Sequence, residues 1–164
     1  MGTAALFRLT KLADYGIVIM THLAQSQAQD RAQASTQEIA HATCIPQPMA
    51  GKILKSLARA GLLRSQRGAH GGYELSRPAT AITVAEVIEA LEGPIAITEC
   101  VEAGPGCDLH LLCPARTNWQ RINDAIRDAL GGVSIDEMAR GIPEAFLHAH
   151  ERHAHERHEQ AARA

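Results

Sequence analysis

Between Ser35 and Leu75, proline and glycine cut the chain into short pieces, and few folds accept pieces of those lengths in that order. Ser35 and Glu38 form an S-x-x-E capping box, which predicts a short helix running through Ala42. Cys44-Ile45-Pro46 breaks it, and Pro48 then sits where a first-turn proline is tolerated. From Met49 to Ala60, apolar residues recur at 49/50, 53/54 and 57, and Gly61 ends the run. Leu62-Leu63 starts a strand, RGAHGG turns, and Tyr73-Glu74-Leu75 returns, with Gly68, Gly71 and Gly72 expected to supply positive φ angles. Two short helices across a tight turn, followed by a two-stranded wing, make a winged helix-turn-helix.

The flanking sequence supplies more helices. Leu9 to Gln25 carries apolar residues at 12, 15/16, 19, 20, 23 and 24, with Thr10 as N-cap and Asp14 in or near the first turn. Ser26 to Ala34 reads as a polar connection. Thr83 and Glu86 form a second capping box, opening a helix from Val84 to Leu91 that Gly93-Pro94 ends. From about Ala115 to Leu130 an amphipathic stretch carries Trp119, Ile122, Ile126 and Leu130, closed by Gly131-Gly132. Such a helix has little core of its own to cover, so its stripe is expected to pack on a second subunit. Ser134 to Glu137 is a third capping box and opens a short final helix.

The expected fold is therefore mainly α with a small β-wing: a winged helix-turn-helix domain over residues 1–92 and a connecting loop over 93–114. A dimerisation helix with its short terminal helix follows over 115–140, then a His-rich tail over 141–164. The chain is 46% hydrophobic but only 3% aromatic, so Ala, Leu and Ile carry the packing, which suits helices. No apolar stretch reaches the ~18 residues that span a bilayer. The first residues lack a secretory h-region, so the expected location is cytoplasmic, without membrane, and with reduced thiols.

A net charge of −2 becomes informative once localised. Ile45 to Pro78 holds Lys52, Lys55, Arg59, Arg64, Arg67 and Arg77 against Glu74 alone. Thr83 to Cys113 holds six acids and neither Lys nor Arg. The first segment is drawn to phosphate and the second repelled by it. Gln47, Met49, Lys52 and Lys55 lie on or before the first two turns of the presumed recognition helix, and Arg59 farther along. Arg64, Arg67 and His70 belong to the wing. Gln47 suits adenine and the lysines suit guanine or phosphate, whereas no aromatic platform favours single-stranded RNA. The expected partner is double-stranded DNA.

Cys100, Cys107 and Cys113 fall within TECVEAGPGCDLHLLC, and three thiolates that close suit a soft metal or an iron–sulfur cluster. With His110 they also make a Cys₃His zinc set. Cys44 stands apart and is expected to be a small buried hydrophobe, and Trp119 to be dimer core. Asp14 by itself suits the N-terminal end of a helix dipole, worth ~0.3–1 kcal/mol. The tail HAHERHAHERHEQAARA repeats histidine at 148, 150, 153, 155 and 158, a metal-binding composition that more often marks a frayed charged helix or a disordered tail.

In order and spacing, LTKLADYGIVIMTHLA, the RGAHGGY wing, TVAEVIEALEG and the three-cysteine run with NWQRIN resemble the winged-helix iron–sulfur regulators of the Rrf type. The IscR and NsrR branches are the nearest in kind, and ITEC with NWQRIN looks most like regulators of the SUF iron–sulfur assembly operon. The resemblance covers Leu9 to about Met138. It implies a homodimer paired through its long helices, a pseudo-palindromic operator, and a [2Fe–2S] or [4Fe–4S] cluster on Cys100, Cys107 and Cys113. The first cysteine gap is six residues here rather than the five of the family. The histidine that IscR places three residues after its last cysteine is Arg116 here. NsrR uses an Asp of the partner subunit within LTK-x-x-D, which falls on Asp14, with His110 as competitor.

The function implied is transcription control of cluster-assembly genes by cluster status. A nitric-oxide or redox-sensing repressor using the same loop, and a zinc-binding DNA protein, are the alternatives. No motif for nucleotide, flavin or nucleophilic catalysis appears, so an enzyme is not expected.

Overall fold

The first helix begins where Thr10 caps it. Its Oγ1 accepts the Leu12 and Ala13 N–H groups at 3.2 and 3.4 Å, starting α1 (Lys11–Ala28). The computed structural model describes residues 9–29, 33–66, 68, 71–98, 101 and 113–140. α1 buries Ala13, Ile17, Ile19, Met20, Leu23 and Ala24, a face too wide for one neighbour, because it is the central helix. At Gly16 a methyl group would meet the tip of the Leu91 side chain of the fourth helix, which would have to turn aside.

Ser35 and Glu38 cap α2 (Thr36–Thr43) reciprocally. The Ser35 N–H donates to the carboxylate at 2.7 Å and the Glu38 N–H donates to Ser35 Oγ at 3.2 Å. Cys44 then turns the chain in the left-handed region, at φ 55°, before α3 (Gln47–Arg59). This corrects the expectation of a buried Cys44. The αL turn points its side chain outward and Ile45, 5% exposed, takes the interior place. α3 presses Ala50, Ile53, Leu54 and Leu57 into the core, none of them exposed at all. It ends in a Schellman motif: Gly61 has φ 78°, with Gly61 N–H to Ala58 O at 3.1 Å and Leu62 N–H to Leu57 O at 3.0 Å.

The wing pairs β1 (Leu63–Gln66) with β2 (Gly72–Leu75) antiparallel, in the register Leu63 to Leu75 and Gln66 to Gly72. Gly68 has a positive φ, 118°, but Gly72 does not, contrary to the reading from sequence. Gly72 is needed for closeness instead: a Cβ there would lie 2.5 Å from Ala34 O. Ala34 and Tyr73 exchange two backbone bonds at 3.1 and 2.8 Å, so the connection after α1 adds a one-residue third strand to the wing.

A 3-10 turn (Ala79–Ala81) leads to α4 (Val84–Glu92), capped by Thr83 and Glu86 and ended at Gly93, φ 91°. Beyond the cysteine run, α5 (Arg116–Gly131) lies against α4 and buries only Asn123. α6 (Ile135–Arg140) then returns to the core. Ile135 is fully buried and donates to Ile82 O at 2.8 Å, and Gln25 of α1 donates to Ala139 O at 3.1 Å. The fold is thus mostly helical with one two-stranded antiparallel sheet, as expected. Among the described residues no helix is long and apolar enough to cross a membrane. Residues 141–164, with the histidine repeat, lie outside the described residues.

Candidate DNA interface and cysteine segment

The same periodicity that buries one face of α3 leaves a basic stripe on the other. Gln47, Lys52, Lys55 and Arg59 are exposed, while Met49 is half-buried and packs on the core, which makes it the weakest of the predicted base readers. α3 contains no acid, and its 13 residues span about 20 Å, enough to lie along a major groove. Thr36, Gln47, Pro48, Gly51, Lys52 and Lys55 line a shallow groove where α2 begins beside α3.

On the wing, Arg64 is exposed and sits across the strand pair from Glu74. No ion pair joins them within 4 Å among the described residues, so the guanidinium stays available to an anion. Arg67 and His70 lie outside the described residues. Arg77, counted with the basic segment, is taken. It pairs with Glu86 and donates to Ala81 O at 2.9 Å. Burial would raise the Glu86 carboxyl, but the Thr83 N–H and Arg77 outweigh it and leave the group below its ordinary value. Arg77 therefore braces the start of α4 rather than facing phosphate.

Of the cysteine run, Cys113 is described, and Cys100, Cys107 and His110 lie outside the described residues. Cys113 is half-buried, carries no disulfide, and lies just ahead of α5, its carbonyl accepting the Arg116 N–H at 3.3 Å. A free, partly accessible thiol at that place fits the chemistry of a cluster or zinc ligand. Asp14 occupies the first turn of α1, exposed, and its carboxylate has no hydrogen-bond or ion-pair partner among the described residues. Four residues earlier, the Thr10 hydroxyl donates to Glu92, so the start of α1 is fastened to the end of α4, where the cysteine segment departs.

Two features escaped the reading from sequence. Asn123 bonds the backbone of both Ile95 and Ile97, and the only signal for it was its place as the last residue of NWQRIN. The uncovered stripe of α5, with Trp119 38% and Ile122 45% exposed, was expected, but α6's return to the core was not.

A recognition helix with an exposed basic face, braced by a wing, defines the chain as a DNA-binding transcription regulator of the winged-helix class. More narrowly, the chain belongs to the Rrf2 family of iron-dependent transcriptional regulators, whose sequence profile matches residues 9–141. The HTH-type transcriptional regulator CymR of Bacillus subtilis is 32% identical over 136 residues, covering 81% of this chain and 92% of that protein. Among solved structures, CymR of B. subtilis, described as its global cysteine regulator, superposes with a TM-score of 0.65 at 28% identity, covering 84% of this chain and 99% of that one. IscR of T. potens superposes with a TM-score of 0.64 at 25% identity, covering 85% and 90%.

Proposed function

We propose that the protein is a homodimeric regulator that reads a pseudo-palindromic operator and senses an iron–sulfur cluster, controlling SUF-type cluster-assembly genes. The cluster would be held by Cys100, Cys107 and Cys113, with the fourth position taken by Asp14 of the partner subunit. The observation that carries this reading is the course of the chain. The cysteine run leaves the end of α4, beside the cap of α1, and re-enters at α5, the helix whose apolar stripe is uncovered. A cluster there would sit where subunit pairing and the DNA-binding unit meet. The iron-dependence of the family and the likeness to an IscR structure support the cluster over a cysteine-sensing role without one.

When bound, the cluster supplies iron open to oxidation or nitric oxide and a link that is lost with it. The chain's own part is to present soft thiolates and a free carboxylate at α1, and to hold α3 and the wing at a fixed separation from their copies across the dyad.

Anaerobic reconstitution with iron and sulfide tests this. The wild type should be brown, with iron and acid-labile sulfide in stoichiometric amounts, and serine at 100, 107 or 113 should abolish or destabilise the chromophore while Cys44→Ser keeps it. A colourless protein holding one zinc per chain would reject the cluster. Asp14→Ala should make the cluster labile or spectrally altered, with His110→Ala unchanged. The reverse pattern moves the fourth ligand into the same chain.

A further inference from the structure

The most buried residue of α5 is polar. Asn123 is 3% exposed on a helix whose other side chains are exposed or half-buried. Its Nδ2 donates to Ile95 O at 3.0 Å and its Oδ1 accepts the Ile97 N–H at 3.1 Å. Only this orientation of the carboxamide satisfies both groups. Bridging the carbonyl of one residue and the amide of the residue two further on is what the peptide of a neighbouring strand does. An apolar side chain would fill the same space without needing partners, so the carboxamide's contribution is the position it imposes on 95–97.

That segment leads into the cysteines. Cys100 follows Ile97 by three residues, so it is tethered within about 11 Å of the clamp even on a fully extended path. The Val101 N–H donates to Thr98 O at 3.1 Å, a turn-type bond one residue beyond Cys100. Cys113 lies just before α5, and the helix carries the clamp about 10 Å beyond Arg116. One side chain therefore fastens the approach to the first cysteine onto the same helix that the last cysteine opens. These two bonds fasten the first leg, at Ile95 and Ile97, directly to α5.

The geometry points to Asn123 as the positioning residue of the cysteine run: it holds the 95–97 leg against α5 so that the Cys100 and Cys113 thiols meet at one metal centre. Its purpose rests on the cluster reading, while its geometry does not.

The test uses the full-length apo protein with Cys44→Ser and Cys107→Ser, leaving the Cys100 and Cys113 thiols. The rate of intramolecular disulfide formation with diamide, divided by each thiol's alkylation rate, measures their effective concentration in native buffer and in urea. Asn123→Ala should lower the native value by about threefold to tenfold, toward that in urea, and Asn123→Asp, which keeps the acceptor but loses the donor, should fall between. In the otherwise wild-type chain, Asn123→Ala should shorten the half-life of the reconstituted chromophore under a chelator in the same order. A lowered melting temperature with an unchanged thiol effective concentration would overturn the assignment, leaving Asn123 a packing residue. Should Asn123→Ala fail to fold, an Asn123→Asp value equal to wild type overturns it alone. A wild type that never colours, with the thiol result as expected, rejects the cluster and leaves the clamp standing.

Discussion

Replacing Gly72 by alanine isolates the contact that sets the wing. The added Cβ would lie 2.5 Å from Ala34 O and 2.7 Å from Ala34 C, both backbone atoms that no rotamer change can move aside. The strand must shift by most of an ångström, and the two bonds between Ala34 and Tyr73 at 3.1 and 2.8 Å are the first to go. Each such bond contributes about 0.5–1.5 kcal/mol net. The reduced freedom of the unfolded chain returns roughly 0.4–1 kcal/mol, so the net loss should be about 1–2 kcal/mol. For a chain of this length that lowers the melting temperature by roughly 2–8 °C. Thermal unfolding of the apo protein followed by circular dichroism measures it, and a gel shift at fixed salt should show weaker operator binding, because the wing turns away from α3. Gly131→Ala is the control. It has open space and an ordinary helical φ, so it should melt at or slightly above the wild type. A Gly72→Ala protein that melts with that control and binds DNA normally would refute the argument that close approach, rather than turn geometry, requires glycine at this place.

Lys52→Ala should weaken operator binding and, if its ammonium meets phosphate, lower the salt slope of log K by about 0.9. Arg77→Ala should leave that slope unchanged while lowering the melting temperature, since its guanidinium is engaged by Glu86 and Ala81; a changed slope would return Arg77 to the DNA surface. Acid should destabilise the fold in two stages. Desolvation holds His22 below its ordinary 6.5, so the unfolded chain binds the proton more readily and stability falls as pH drops below about 6.5. The capping carboxyls of Glu38, Glu86 and Glu137 sit below 4.5, so their stabilisation is present above that pH and is lost as pH falls through their lower folded values. His22→Gln should flatten the first stage in urea unfolding across pH and leave the second; a profile still sloping between pH 6.5 and 5 would reject the assignment.

What could be read from the sequence was what local chemistry decides. Ser35 with Glu38, Thr83 with Glu86, and Ser134 with Glu137 each close a cap within four residues, and all three form as written. Gly61 and Gly93 stop helices through their own φ angles. The basic face of α3 follows from period alone, since burying 50, 53, 54 and 57 leaves 52, 55 and 59 outside. The misreadings are non-local. Gly72 looks like a turn glycine until Ala34, far back in the chain, is brought against it. Arg77 counts with the basic segment until α4 delivers Glu86. Cys44 looks apolar enough to bury, but the αL turn that α2 and α3 require gives the interior place to its neighbour. The cysteine run is legible as spacing alone, with Cys100 and Cys107 outside the described residues, whereas the bonds that hold Ile95 and Ile97 come from a residue more than twenty positions downstream.

Those non-local contacts also bear on how a change at the cysteine run would reach DNA. Coupling needs an element with two arrangements that both sites bias, not proximity alone. α1 and α4 are poor candidates, because they are bound to each other. The Thr10 bond to Glu92 joins their ends, and the two helices pack along their length. α1 in turn packs on α2, α3 and β2, so recognition helix, wing and α4 form one body. The lighter joint is between that body and α5, which fully buries only Asn123, rests Leu130 partly on the core and adds one partly exposed ion pair, Arg127 to Glu89 at 3.3 Å. α5 carries the stripe proposed to face the second subunit. On the proposed reading, losing the cluster therefore loosens α5 against α4 and changes the separation of two otherwise rigid reading heads. That predicts an affinity change that depends on half-site spacing and leaves base preference within a half-site untouched.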